Sequence, residues 1–156
     1  MRLAGGATLA ALLAAACSGP ETPPSGAAPS FPADYAASYV EVRGCRKSAD
    51  HELDFVRVLA DPAALGPYTD RASAFADGAV VLKEQYEPSD DTCSGPIAQW
   101  TVMLKNQAAS KRLGWEWQRV TADRRVVEAN TPSCFGCHRD CAGAPAPGYD
   151  FTCTDP

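Results

Sequence analysis

The sequence predicts an α+β fold that is mostly β, an antiparallel sheet flanked by short helices. Three observations carry this. Five central segments alternate apolar and polar positions and are rich in β-branched and aromatic residues. Turn-forming residues, drawn from 12 glycines and 13 prolines, separate those segments at hairpin distances. Helical spacing is confined to short stretches near the ends. With 156 residues, 46% of them hydrophobic, the chain suits one domain with a true core.

In chain order, "MRLAGGATLAALLAAAC" has an early arginine, an apolar run and small residues ending at Cys17. That is the layout of an export signal over residues 1–16, too short for a stable membrane span. Ala14, Ala15 and Ala16 suit an ordinary signal-peptidase site. Followed by Cys17 they also resemble a bacterial lipoprotein box, with the usual leucine displaced by one to Leu13. Cys17 is therefore expected to carry a lipid anchor, placing the protein in the periplasm on a bacterial membrane. Residues 17–32, small, polar and proline-rich, read as a flexible linker. The folded domain is expected over 33–156.

"ADYAASYVEVR" (33–43) can form a short helix with Tyr35 and Tyr39 on one face. "ELDFVRVLA" (52–60) reads as a strand with Leu53, Phe55, Arg57 and Leu59 on one side, Val56 and Val58 on the other. "DPAALGPYTDRASAF" is a loop or short helix. Strands follow at "AVVLKEQYE" (79–87), "QWTVMLKN" (99–106), "GWEWQRVTA" (114–122) and "RRVVEA" (124–129). No internal repeat is visible. The net charge of -5 and the lack of a basic stripe argue against nucleic acid as a partner.

Residues 133–141, "SCFGCHRDC", hold three cysteines and one of two histidines. Cys134, Cys137 and His138 have the C-x-x-C-H spacing of c-type haem attachment. Two thiols add across the two vinyl groups of one haem, and the adjacent histidine supplies the axial nitrogen to iron. Gly136 would give the backbone freedom for the wrap. A zinc site needs four ligands, and adjacent Cys137 and His138 are awkward partners on one ion, with Cys141 as a fourth. A redox dithiol would want the pair opening a helix in a βαβ unit. A plain disulfide leaves His138 unexplained. One covalent haem c per chain is the favoured reading.

Export makes disulfides durable. Setting aside Cys17, Cys134 and Cys137 leaves Cys45, Cys93, Cys141 and Cys153, an even number that fits two bridges. Spacing does not separate the three pairings. Cys45–Cys93 with Cys141–Cys153 is preferred, the latter closing "AGAPAPGYDFT". Few side chains offer a sixth iron ligand: His51 reads as exposed ahead of a strand, and Met103 reads as core. That poverty favours an open iron position.

The order "DGAVVLKEQYE", "WTVMLKN", "GWEWQRV" and a terminal C-x-x-C-H resembles the cytochrome P-460 family, exported monohaem c-type cytochromes related to the β-type cytochromes c′. The resemblance spans about residues 35–155. It implies a mostly antiparallel β fold and a strand lysine bonded to a haem meso carbon; Lys83 matches that position. Val81, Lys83 and Gln85 share one face of their strand, with Glu84 on the other. The resemblance implies hydroxylamine oxidation or nitric oxide binding, the alternative being an electron-transfer or gas-binding cytochrome without turnover. Such turnover needs a base, for which Glu84, Glu116 and Glu128 give no obvious candidate. Implied partners are the small nitrogen ligand, a redox protein, the membrane through the anchor, and a second copy in a homodimer. Trp100, Trp115 and Trp117 read as sheet core before pocket wall. Phe135 and Phe151 are expected near the haem, and Arg139 is a candidate partner for a propionate.

Overall fold

A computed structural model describes residues 26–48, 51, 54–143 and 148–153. Among them one antiparallel sheet runs in chain order, β1-β2-β3-β4-β5-β6. The strands are β1 (Val40–Lys47), β2 (Phe55–Ala60), β3 (Val80–Tyr86), β4 (Gln99–Lys105), β5 (Trp115–Thr121) and β6 (Val126–Ala129). Two short helices accompany them, α1 (Pro62–Asp70) and α2 (Pro132–His138). The mostly β architecture expected from alternation is therefore present. None of the helices among the described residues is long and apolar enough to cross a membrane. Cys17 and Leu53 lie outside the described residues.

Two expectations at the N-terminal side are corrected. The helix expected over 33–43 is a single 3-10 turn, Tyr35–Ala37, after which β1 begins at Val40. The alternation of Val40 and Val42 and the partners offered by β2 override the four-residue spacing of the tyrosines. The domain also begins earlier than Ala33. Phe31 is buried, Ser30 N donates to Gln118 Oε1 at 2.8 Å, and the Arg124 guanidinium lies 4.4 Å from the Phe31 ring.

The loop between β2 and β3 resolves into α1. Asp61 caps it by accepting from Ala64 N at 2.7 Å, Pro62 occupies the first turn, and Arg71 closes it in the left-handed region at φ 52°. The helix lays Ala64 and Tyr68 on the sheet.

Register sorts the sheet residues onto two faces. One face carries Val58, Ala60, Val81, Met103, Trp115 and Trp117, covered by Ala64, Tyr68 and Phe75. The other carries Leu59, Val80, Leu82, Trp100, Val102 and Val120, covered by Phe31 and Tyr35. Glu84 is buried on this second face. It accepts from Tyr35 Oη at 2.5 Å, from Tyr86 Oη at 2.7 Å and from the Arg57 guanidinium. Three donors, one of them cationic, offset the desolvation of the carboxylate. Burial, then the bond to Glu84, pushes the Tyr35 phenol up to about 12.

Candidate functional site

The first face is apolar over one half and polar over the other. Toward the far ends of β2–β5 from α1, the register aligns Val56, Gln85 and Gln99, then Val58, Lys83, Thr101 and Arg119. From β1, Arg43 and Arg46 stand opposite Val58 and Val56 and so share this face. Val81, Lys83 and Gln85 therefore do lie together, with Glu84 behind them.

The cysteine cluster meets this face through α2. Thr131 is extended at the helix N-cap and Pro132 takes the first helical position, where its missing N–H costs no hydrogen bond. Cys134, Cys137 and His138 then fall at positions i, i+3 and i+4, which brings them to one side of the helix. Cys134 is half-buried, Cys137 is exposed, and both are free thiols. The Cys134 thiol lies 3.1 Å from Thr131 Oγ1. Gly136 sits in ordinary helix, and a Cβ built there meets nothing within 4 Å. Its backbone freedom, expected to be needed for the wrap, is not used.

His138 ends the helix with its ring 4.6 Å from that of Trp117. Its Nδ1 donates to Phe151 O at 2.6 Å. That bond fixes the proton on Nδ1 and leaves Nε2 with its lone pair, the form a metal ligand requires.

His51 joins the site unexpectedly. It is half-buried, and its Nε2 lies 2.8 Å from Lys83 Nζ. Burial first, then the nearby Lys83 charge, lowers its pKa to about 3, so the ring is neutral and accepts from the lysine. The exposed reading of His51 is thus corrected: the polar run "KSADHELD" hid a residue that folds back onto β3. No periodicity in that run could have revealed it. Met103 is buried, as expected of core, and lies on the same face.

The remaining sequence candidates separate cleanly. Cys45 is bridged to Cys93, and Cys141 to Cys153. Cys141 therefore has no thiolate to give a metal, and among the described residues no three His, Cys, Asp or Glu side chains cluster as a zinc site would need. Glu116 lies on the second face, held by Arg112, and Glu128 on the first, paired with Arg119. Trp100 belongs to the second face, far side from α2, whereas Trp115 and Trp117 are core on the first. Arg139 is exposed, and Phe135 and Phe151 pack against the first-face core.

The residues fit a haem. Two free thiols and a basic imidazole nitrogen share one helix side, while the other described cysteines are bridged. Gln85 Oε1 and Arg46 Nε are buried with no hydrogen-bond partner among the described residues. These atoms leave hydrogen-bonding capacity on this face for another group. The cations of the face suit the two carboxylates of a haem.

The family described as Cytochrome P460 matches residues 32–146. That span includes β1 to β6, Lys83 and the whole C-x-x-C-H motif. No curated protein matches the chain.

Proposed function

The chain belongs to the cytochrome P460 family, and from that premise we propose that it is an exported c-type cytochrome with one covalent haem, acting on small nitrogen species. The observation that carries this reading is the set Cys134, Cys137 and His138 on one helix side, with the His138 proton already engaged on Nδ1. When bound, the haem would supply a redox-active iron for binding hydroxylamine or nitric oxide and for electron exchange with a redox protein.

The chain's own residues have separable tasks. Cys134 and Cys137 would hold the haem, and His138 Nε2 would ligate its iron. The Trp117 ring, tilted 59° to that of His138 at 4.6 Å between centroids, limits rotation of the imidazole. Arg46, with Arg43 nearby, offers charge to the carboxylates. Lys83, whose amine lies 2.8 Å from His51 Nε2, is the side chain that would face the macrocycle, where a covalent bond to a meso carbon would make the protein a member of the cross-linked branch. His51, neutral and half-buried, accepts from Lys83 and holds that amine in place on this face. The lipid anchor at Cys17, the periplasmic location and a homodimer belong to the same proposal.

Expression with haem-maturation machinery followed by optical spectra, ferric and ferrous, with and without nitric oxide, tests it. A high-spin spectrum that shifts with nitric oxide is expected. A colourless protein sinks the proposal. A six-coordinate low-spin spectrum unaffected by nitric oxide would instead support a plain electron carrier.

A further inference from the structure

The turn that accepts the hydrogen bond of His138 is built from residues the haem reading leaves unused. Phe151 O takes the Nδ1 proton at 2.6 Å, and Cys153 Sγ lies 3.4 Å from the same nitrogen. Cys153 is bridged to Cys141, just beyond the end of α2. The disulfide therefore ties the turn that carries the acceptor to the helix that carries the donor.

Other contacts lock the same turn. Phe151 N donates to Cys141 O at 2.9 Å, and Asp150 N to Ala142 O at 3.1 Å. Lys105 Nζ donates to Asp150 Oδ2 at 2.7 Å, and Trp115 Nε1 to Asp150 O at 3.0 Å. Asp150 and Phe151 both have positive φ, 43° and 68°. Side-chain-bearing residues adopt that region at a cost, and hold it only where the surroundings over-determine it. Gly148 completes the fit: a Cβ there would stand 2.7 Å from the Cys141 backbone.

We infer that the Cys141–Cys153 disulfide is a positioning element for His138, holding the Phe151 carbonyl on Nδ1 and so setting the donor strength of Nε2. Its consequence for iron rests on the haem reading above, whereas the hydrogen bond belongs to the chain alone. A carbonyl acceptor raises the basicity of the opposite ring nitrogen, which stabilises ferric over ferrous iron. Releasing the turn hands Nδ1 to water and makes His138 the weaker ligand.

The test compares Cys141→Ala/Cys153→Ala with Cys45→Ala/Cys93→Ala, the bridge that ties β1 to the loop before β4. Both are studied as folded holoproteins by redox titration, and as haem-free chains by imidazole nitrogen NMR. The first double variant is expected to shift the ferric/ferrous equilibrium about tenfold toward ferrous, about 59 mV upward for one electron. The second is expected to shift it several-fold less. In the haem-free wild type His138 carries its proton on Nδ1, and this preference is lost in Cys141→Ala/Cys153→Ala. Equal shifts in both variants, no shift in either, or an Nε2-protonated His138 in the wild type each overturns the inference. If the first variant does not fold, Gly148→Ala displaces the same turn with both bridges intact and is read the same way. A colourless wild type would defeat the haem reading, and the tautomer measurement would still decide this one.

Discussion

His51 and Glu84 show how a polar residue acquires a role from what the fold places beside it. Neither was legible in the sequence: one sits in a charged run, the other inside a strand beside Lys83. Their partners come from remote segments, Lys83 for His51 and Tyr35 for Glu84. His51 gives a signed pH prediction. The folded chain holds it neutral down to about pH 3, whereas the unfolded chain takes up a proton near 6.5. Between those values the unfolded state binds more protons, so this contribution is full above 6.5 and lost progressively as pH falls. His51→Gln should therefore lose less stability than wild type between pH 7 and pH 4.5 in urea titrations; equal losses would contradict the account. Glu84→Gln removes the charge that receives Arg57 and both phenols. A loss of about 2–3 kcal/mol is expected from the same titrations, and a loss near zero would show the cluster to be dispensable.

Elements are more legible in the sequence than the roles of single residues, because a strand needs only its own alternation to announce itself. β2 to β6 lie within the segments expected for them. β1 is not legible as a strand because "YVEVRGCRK" carries bulges, with register shifts between Glu41, Arg43 and Arg46 that blur the alternation. The helical form of the haem motif was not legible beyond a general expectation of a C-terminal helix. Proline at its first turn was the available signal. Disulfides join elements that sequence order keeps apart, which is why cysteine counting alone left three pairings. Cys45–Cys93 encloses a separation of 48 residues. In the chain-entropy description its removal costs about 4 kcal/mol, so Cys45→Ala/Cys93→Ala should melt markedly lower than wild type in calorimetry. An unchanged melting temperature would mean that the sheet holds that edge unaided.

Across the whole molecule, one sheet separates two chemistries. The second face is a closed core around Trp100 and the Glu84 cluster; the first is core where α1 covers it and polar where α2, Lys83 and His51 converge. A sequence reader can find the motif and the strand lysine, but only register brings Arg46, Lys83, Gln85 and Arg119 to one side. If Lys83 is bonded to the macrocycle, proteolysis of the holoprotein will yield the Lys83 segment joined to the haem peptide, and Lys83→Met will release it while leaving the thioethers. The measurement that bears most directly on the central claim is mass spectrometry of the denatured, digested holoprotein with absorbance detection. The account predicts haem absorbance that stays, through solvent extraction, with the fragment containing Cys134, Cys137 and His138. Haem that extracts freely, or that travels with a fragment lacking these residues, would contradict it.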